Sequence, residues 1–348
     1  MKKSKPPLVF TGITHEITRP GHLWCHQLPY LSKLKPIAID SKRLRNESQA
    51  CNDHEHFLFR SNVCAMLWLT LTRQDLIADI ALLQQHMVAP QVKHLKLANA
   101  TLRKAKDTSV LNGLHFRRLP GPTKLLCISD ASHANSRTVY AQEGRLVLLV
   151  RDAPRLRDLP EKCPTGTADA MESHGHPLYS SGRKSTRVSQ STSASESLAL
   201  LGVTQVAQLI ANRLAEPLLG PAKGLWIPRP LDCLRIQEEN AVFLDTDAMT
   251  DCMDVFELLC SKKGLSNDTT QRVVILSLRE FRALGIIRGL FHVPTSAMLA
   301  DGLTKPGKFP QLHRFCTCGI ASFPVGDKSL RLSISPAHTF PTSNHRHP

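Results

Sequence analysis

The ten cysteines of the chain are scattered, and no two of them form a C-x-x-C pair. Cys316 and Cys318 lie closest together, and no second pair follows them at zinc-finger spacing. This lack excludes the structural zinc sites that are built on paired thiols. It also favours reduced, mostly buried thiols, as in an intracellular protein, over a disulfide framework.

Long apolar runs are missing as well. No stretch approaches the roughly 18 consecutive apolar residues of a membrane-spanning helix. The N-terminal sequence MKKSKPPLVF lacks the apolar core of a signal peptide. We therefore expect no membrane partner and an intracellular location, in the cytoplasm or the nucleus.

Acidic residues are the minority charge. The 348 residues include 44 Lys and Arg against 29 Asp and Glu, which gives a formal net charge of +15. Such an excess favours a polyanionic partner, and nucleic acid is the commonest one. Solvated basic faces on a protein that binds nothing acidic are the alternative. The hydrophobic fraction of 42% is enough for a globular core, although aromatic residues make up only 5%.

Two short clusters contain residue types that bind metals. His174 and His176 lie in SHGHP, and Asp53–His56 reads DHEH. Each cluster lacks further ligands at a suitable spacing, which favours ordinary loop residues over a metal site.

The first third of the chain divides into two parts. Residues 1–55 are basic and rich in Pro and His, and we expect a poorly structured arm. Residues 56–118 predict three helices: an apolar one in HFLFRSNVCAMLWLTL, a second behind the capping-box spacing Thr72–Asp75, and a third over 91–107. Four basic residues of the third helix lie away from its apolar face and form either a phosphate-binding stripe or a solvated face: Lys93, Lys96, Arg103 and Lys104.

Residues 119–320 change to an α/β pattern. Strand-like runs occur at 124–130, 145–150, 241–246 and 287–293, and a polar loop is expected over about 151–178. Helical patterns cover 193–219, 252–262 and 271–284. This alternation predicts an α/β or mixed sheet layer. Residues 321–348 are rich in Ser, Pro and His and predict a disordered tail.

Four acidic residues of this part fall at the ends of predicted elements: Asp130, Glu196, Asp251 and Asp301. Mg²⁺ prefers oxygen ligands, and several carboxylates are needed to hold a pair of such ions. Each residue also has an ordinary explanation. Ser193 and Glu196 have capping-box spacing, Asp251 and Asp301 could begin helices, and Asp130 could end a strand at a turn.

The helical segment has a recognisable sequence. FRSNVCAMLWLTLTRQDLIADIALLQQH resembles the connection region that follows the reverse-transcriptase palm in copia-type LTR retrotransposon polyproteins, and QVKHLKLANATLRKAK resembles the next connection helix. The segment departs from the family pattern at Cys64, where Gly is usual, and at Gln74, where Pro is usual.

Four further segments resemble the ribonuclease H domain of the same polyproteins, in the same order. They are ISDASHAN, SSGRKSTRVSQSTSASESLAL, TDCMDVFELL and HVPTSAMLADGLTKPG. The resemblance covers about residues 57–320. It implies a ribonuclease H-like α/β fold, in which a five-stranded mixed sheet is flanked by helices and preceded by a small helical connection segment.

The resemblance also implies a function: hydrolysis of the RNA strand of RNA–DNA hybrids with two Mg²⁺ ions, for which Mn²⁺ can substitute. The implied catalytic and metal-binding residues are Asp130, Glu196, Asp251 and Asp301. Asp245 and Asp247 compete with Asp251 for the third position. Phosphate contacts are expected from the basic face of the helix over 91–107 and from Arg183, Lys184 and Arg187.

Several departures weigh on this interpretation. No Y-x-D-D motif occurs, so polymerase chemistry is not expected, and the polymerase portion of a polyprotein becomes a candidate partner. Tyr179 replaces the usual Trp before the paired serines. His292 lies nine residues before Asp301, but it occupies a strand position, and we assign it no catalytic role.

Two other functions compete with an active ribonuclease H. A retrotransposon remnant could fold and bind nucleic acid without cleaving it. A related polynucleotidyl transferase, such as an integrase core, is a weaker alternative, because LADGLTK does not suit it.

Overall fold

A computed structural model of the chain describes residues 7–132, 140–151, 170–189, 191–219, 244–260, 264–324 and 331–334. These residues form a mixed α/β structure with two sheets and several helices. The division of the chain at residues 55, 118 and 320 stays a prediction.

Within residues 7–132, four strands form an antiparallel sheet: β1 (Leu8–Phe10), β2 (Ile13–Arg19), β3 (His22–His26) and β4 (Leu114–Arg117). A tight turn joins β1 to β2, with Thr11 and Gly12 at φ 48° and 75°. The expectation of a poorly structured arm over 1–55 therefore fails for its first half. The sheet is completed by β4, which comes almost ninety residues later in the chain, so local sequence gives little sign of it.

A short helix, α1 (Leu28–Leu31), lies in the stretch expected to be an unstructured arm. The predicted connection segment contains the three expected helices, α2 (Asp53–Leu69), α3 (Ile77–Gln84) and α4 (Val92–Asp107). They share a core that includes Phe59, Leu83 and Leu95. A capping box lies at Asn52 and Glu55, at the start of α2, and none lies at the predicted Thr72–Asp75.

Both residues of the predicted capping box have other partners. The Thr72 hydroxyl donates to Gln27, and Asp75 accepts two hydrogen bonds from the guanidinium of Arg73. A 3₁₀ turn over Gln74–Leu76 leads into α3 instead.

In the described part of the chain the second sheet has seven strands. They are β5 (Thr123–Ser132), β6 (Gln142–Arg151), β7 (Ala170–Lys184), β8 (Thr246–Thr250), β9 (Gly289–His292), β10 (Ile320–Pro324) and β11 (Arg331–Ile334). Their spatial order is β10-β7-β6-β5-β8-β9-β11. β8 runs parallel to β5 and to β9, and the other neighbours are antiparallel.

This sheet confirms the mixed α/β class and corrects three details. Five central strands were expected, and β10 and β11 extend both edges, so strands occur in the segment predicted as a disordered tail. Residues 170–178, expected in a loop, belong to β7. Residues 246–250 form β8, one strand length beyond the predicted 241–246, of which residues 241–243 lie outside the described residues.

Helices cover both faces of the sheet. They are α5 (Thr192–Leu219), α6 (Met253–Leu259), α7 (Thr269–Ala283), α8 (Asp301–Thr304) and α9 (Pro310–Cys318). Leu125 and Cys127 of β5 point to the core shared with α5, α6 and α7, whereas Leu126 and Ile128 point to the core shared with α8 and α9. This alternation is the period of two that a strand buried on both faces requires.

Helix α5 also has the composition of a membrane span. Among the described residues, one window, Thr192–Leu214, is long and apolar enough to cross a membrane by length and composition, and 61% of it is buried within the fold. Packing of α5 against β5 and β6 accounts for this apolar composition.

Two glycines allow α8 to lie directly on the sheet. Gly144 is paired with Asp130 on one side and with Gly182 on the other. A Cβ atom at Gly144 would lie 2.7 Å from the carbonyl oxygen of Ala300 and 2.8 Å from Cγ2 of Thr304. The missing side chain therefore brings α8 against the end of β5.

We predict that Gly144→Ala destabilises the protein by about 1–3 kcal/mol, because the added methyl group must displace the backbone of α8. Urea unfolding measures the change. Gly264→Ala is the matched control, since no atom of the described residues other than its chain neighbours lies within 4 Å of the Cβ position there. Equal unfolding free energies for the two variants would contradict this account of α8.

Candidate metal centre

Asp130 lies inside β5, near its C-terminal end, and not in a turn. Its side chain is almost fully buried, with only 2% of the residue exposed. The hydroxyl of Thr304, at the end of α8, donates a hydrogen bond to Oδ2. This hydrogen bond holds the carboxylate against α8, the helix that packs on Gly144. Asp130 is therefore not an ordinary turn residue at the end of a strand.

Glu196 lies in the second turn of α5, and its carboxylate points to the end of β5. Oε1 accepts a hydrogen bond of 3.0 Å from the backbone N–H of Ala131. Oε2 is buried and has no hydrogen-bond partner in the part of the chain that the structure describes. Ser193 does not form the alternative capping box with it, because the helix has already begun at Thr192 and the Ser193 hydroxyl accepts from Gln271 at 2.8 Å.

Asp251 directly follows β8. It does not cap α6, whose N-cap residue is Cys252 without a side-chain cap. Its Oδ2 accepts a hydrogen bond of 2.9 Å from the hydroxyl of Thr295. Nε2 of His292, in β9, lies 3.0 Å from the backbone carbonyl oxygen of Asp251 and helps to place this residue.

The structure brings Asp130, Glu196 and Asp251 together. Each offers a carboxylate oxygen, and these three oxygens lie within 4.8 Å of one another. Because β5 and β8 are parallel neighbours, their C-terminal ends meet at the same edge of the sheet, and α5 adds Glu196 there. No second group of three or more His, Cys, Asp or Glu residues with this geometry occurs among the described residues.

Asp301, the fourth predicted ligand, lies beside this group but not in it. It begins α8, and its carboxylate forms an ion pair with Lys305, one turn later. Its negative charge nevertheless acts on both Asp130 and Asp251. The fourth acid is therefore near the site and is already engaged by a cation of the chain itself.

The two competitors for the third position lie elsewhere. Asp247 forms an ion pair with the buried Lys124, and Asp245 pairs with Arg288. Asp247 is opposite Leu126 in the sheet, four residues before Asp130 along β5, which corresponds to about 13 Å of strand. Of these three aspartates, Asp251 is the one that reaches the other acids.

Burial and mutual repulsion shift the acids in one direction. Burial raises the pKa of Asp130 to about 6, although Lys305 and the Thr304 hydroxyl act to lower it. Burial and the charges of Asp130 and Asp251 raise the pKa of Glu196 to about 9. Burial also raises the pKa of Asp251. Without a cation, ionising these carboxyl groups costs free energy. A bound divalent cation would offset their negative charges and so favour the ionised form.

The donors fit such a cation. All three residues present carboxylate oxygens, which are the ligands that Mg²⁺ and Mn²⁺ prefer. The buried Oε2 of Glu196 lacks a hydrogen-bond partner among the described residues, and a bound cation would satisfy it.

The predicted phosphate-binding residues have mixed surroundings. On α4, Lys96 pairs with Glu47 and Lys104 pairs with Asp79, whereas Lys93 and Arg103 are exposed. At the end of β7, the Arg183 guanidinium lies 3.7 Å from the Glu143 carboxylate, and the Lys184 ammonium lies 4.3 Å from the centre of the Tyr140 ring. Arg187, which follows β7, is exposed. Their role toward nucleic acid stays a prediction.

The two other clusters of metal-binding residue types have ordinary contacts. DHEH forms the first turn of α2, where Glu55 pairs with Arg43. Nε2 of His176 lies 2.6 Å from the carbonyl oxygen of Arg117. The described cysteines, eight of the ten, are free thiols.

Sequence reasoning missed the residues that support the acids: Thr295, Thr304 and Lys305. A signal was present for two of them, because Thr304 and Lys305 follow Asp301 at spacings of three and four residues, which face one side of a helix. For Thr295, no signal could show that its loop packs beside Asp251.

Comparisons with known proteins add little to this geometry. No protein-family model and no curated protein matches the chain. The crystal structure of RNase H1 from the halophilic archaeon Halobacterium salinarum NRC-1 is similar at 15% sequence identity and a TM-score of 0.30. The match covers 51% of this chain and 92% of that one. A likeness this distant does not bear on the activity of the chain.

We predict that stability without metal falls as pH rises, because the buried carboxyl of Glu196 binds a proton more tightly in the folded state. Its pKa moves from an ordinary 4.5 to about 9, so the folded state holds more protons than the unfolded state between these values. In EDTA, the unfolding free energy should fall by on the order of 1 kcal/mol per pH unit between pH 6 and pH 8.5.

Urea unfolding of Glu196→Gln tests the cause, since this variant should lose much of that slope. Histidines that titrate in the same range act equally on both proteins and cancel in the comparison. The control is Glu280→Gln, an exposed glutamate, which should behave like the wild type. The same slope in all three proteins would show that Glu196 is not the buried acid.

Proposed function

We propose that the chain is a ribonuclease H-like hydrolase that cleaves the RNA strand of RNA–DNA hybrids and derives from a copia-type retroelement. The observation that carries the proposal is the convergence of Asp130, Glu196 and Asp251, whose carboxylate oxygens lie within 4.8 Å of one another. Two divalent ions, Mg²⁺ or in its place Mn²⁺, are the proposed cofactors, with Asp301 as an additional ligand.

The order of the central strands supports the proposal. The motif with Asp130 lies on the middle strand β5, two antiparallel strands follow it on one side, and two parallel strands lie on the other. Asp130 lies near the end of β5, Glu196 near the start of α5, and Asp251 directly after β8, and the segments that carry them follow one another in the order of the family. An isolated cluster of acids would need no such order.

The residues of the chain would act mainly by orienting oxygen ligands. The Ala131 N–H and the hydroxyls of Thr304 and Thr295 each hold one carboxylate. When bound, the divalent ions stabilise the negative charge that develops on the phosphate during hydrolysis. Glu196 must give up its proton as the site is loaded, so binding at neutral pH releases protons to the solvent.

RNA–DNA hybrid is the proposed partner because the resemblance implies it and because the net charge of +15 favours a polyanion. Backbone phosphates can be held by Lys93, Arg103 and Arg187, which are exposed, without reading bases. An A-like duplex is recognised mainly by its shape and its 2′-hydroxyl groups. A polymerase portion, where one is supplied separately, would be the natural protein partner.

The second candidate is a remnant that binds nucleic acid without cleaving it. Gln74, where the family has Pro, is buried at the junction of α2 and α3, and Cys64 is exposed on α2. Both departures affect the connection segment and leave the three acids in place.

We predict that Asp130→Asn lowers hydrolysis of a labelled RNA–DNA hybrid in Mg²⁺ by about 100-fold or more, because it removes a negative ligand from the cation. Hybrid affinity should stay the same or increase, since repulsion of the phosphates falls. Cleavage and binding are measured on the same preparations, with EDTA as the zero-activity control.

The matched variant is Asp245→Asn, the same chemical change on an aspartate that pairs with Arg288. It should cleave like the wild type. Equal cleavage by Asp130→Asn and the wild type would refute the assignment of Asp130. A wild type that folds and binds hybrid but cleaves nothing in Mg²⁺ or Mn²⁺ would favour the remnant.

A further inference from the structure

Lys305 places a positive charge at the edge of the acid site. Its ammonium forms an ion pair with Oδ1 of Asp301. Its charge also acts on Asp130, Glu196 and Asp251, that is, on every acid of the group. Lys305 is therefore a cation of the chain itself at the place where the proposed function puts divalent ions.

The backbone holds Lys305 in this position. Its N–H donates a hydrogen bond of 3.1 Å to the carbonyl oxygen of Asp301, which closes the single turn of α8. Thr304, the residue before it, is tied to Asp130. These hydrogen bonds fix the backbone of Lys305, and with it the Cβ atom, beside the site. The ion pair is therefore part of the fold and is not a transient contact between two surface side chains.

The head of the side chain is nevertheless able to leave. About a third of the Lys305 side chain is exposed, 37%, whereas the Asp301 side chain is 13% exposed. A lysine side chain has a flexible stem of four carbons, and its ammonium is strongly hydrated. The ammonium can move into solvent while the carboxylate stays at the site.

We propose that Lys305 sets the number of divalent ions that the site holds. While Lys305 engages Asp301, the remaining acids form a three-carboxylate site for one ion. A second ion needs Asp301 as a ligand and must displace the ammonium, so it binds more weakly than the first. The inference rests on the proposed metal site and goes beyond it, because it assigns the difference between the two ions to one residue.

The physical reason is competition between like charges. One divalent ion together with the ammonium already offsets most of the charge of the four carboxylates. Another divalent ion meets repulsion from both cations unless the ammonium moves away. Replacing Lys305 by a neutral residue removes this repulsion and frees Asp301.

The test counts bound Mn²⁺ ions on the full chain by calorimetric titration, with electron paramagnetic resonance of free Mn²⁺ as a second readout. For the wild type we expect one ion, and a second that binds about tenfold more weakly or worse. In Lys305→Met the second ion should bind at least about tenfold more tightly than in the wild type. Lys308→Met, a nearby exposed lysine, should match the wild type.

Asp301→Asn completes the comparison. In the wild-type background it should weaken the first ion much less than the second, because Asp301 is a ligand only of the second. In the Lys305→Met background it should abolish the gain in the second ion. Thermal melting followed by circular dichroism establishes folding, and Lys305→Gln replaces Lys305→Met if the latter does not melt cooperatively.

Identical numbers of ions and identical affinities in the wild type, Lys305→Met and Lys308→Met would overturn the inference. So would two ions of equal affinity in the wild type. A folded wild type that binds no Mn²⁺ would instead overturn the proposed function. The two failures are therefore distinguishable.

Discussion

The constraint that the site imposes on the surrounding fold is the mutual repulsion of three converging carboxylates, two of them buried and that of Asp251 half-buried. Water is largely excluded from Asp130 and Glu196, so their negative charges are poorly screened, and both groups hold protons to a higher pH than an exposed carboxyl does. Without a cation such a site destabilises the fold. It persists because the surrounding packing is extensive enough to hold the side chains in place.

Three kinds of contact hold them. The parallel pairing of β5 with β8 brings Asp130 and Asp251 to one edge of the sheet, and the long helix α5 packs across the sheet and delivers Glu196. Hydrogen bonds from Ala131 and from two threonine hydroxyls then orient individual oxygens. Glycine at position 144 lets α8 approach closely enough for one of those hydroxyls, that of Thr304, to reach its partner. Each contact orients an acid and none neutralises its charge, which leaves that part to Lys305 and to a cation.

Much of the site could be predicted from the sequence, because its acids lie in elements with strong local patterns. β5 and β6 are continuous apolar runs, and α5 is long and periodic, so Asp130 and Glu196 were placed on the correct elements. The choice of Asp251 over Asp245 and Asp247 came from the resemblance. Its physical reason is the register of β8 against β5, which spacing along the chain does not contain.

The parts that were missed depend on distant partners. β7 begins in a polar stretch with histidine, glycine and proline, and it is a strand because β6 and β10 pair with it on both sides. The same holds for β1 to β3, which form a sheet with β4 far along the chain. Intrinsic strand preference is weak in both segments, and pairing overrides it. The contact of Lys305 with Asp301 was missed for another reason: α8 is a single turn, too short to show a periodic pattern, and only the spacing of four residues indicated it.

The central claim is that Asp130, Glu196 and Asp251 hold a divalent cation. A crystal of the protein soaked in Mn²⁺, with anomalous scattering collected near the manganese edge, tests it most directly. The account predicts an anomalous peak bound by oxygens of all three carboxylates, at about 2.0–2.2 Å as for hard divalent ions. Three converged carboxylates with no peak between them at saturating Mn²⁺, or a peak bound only by other residues, would contradict the account.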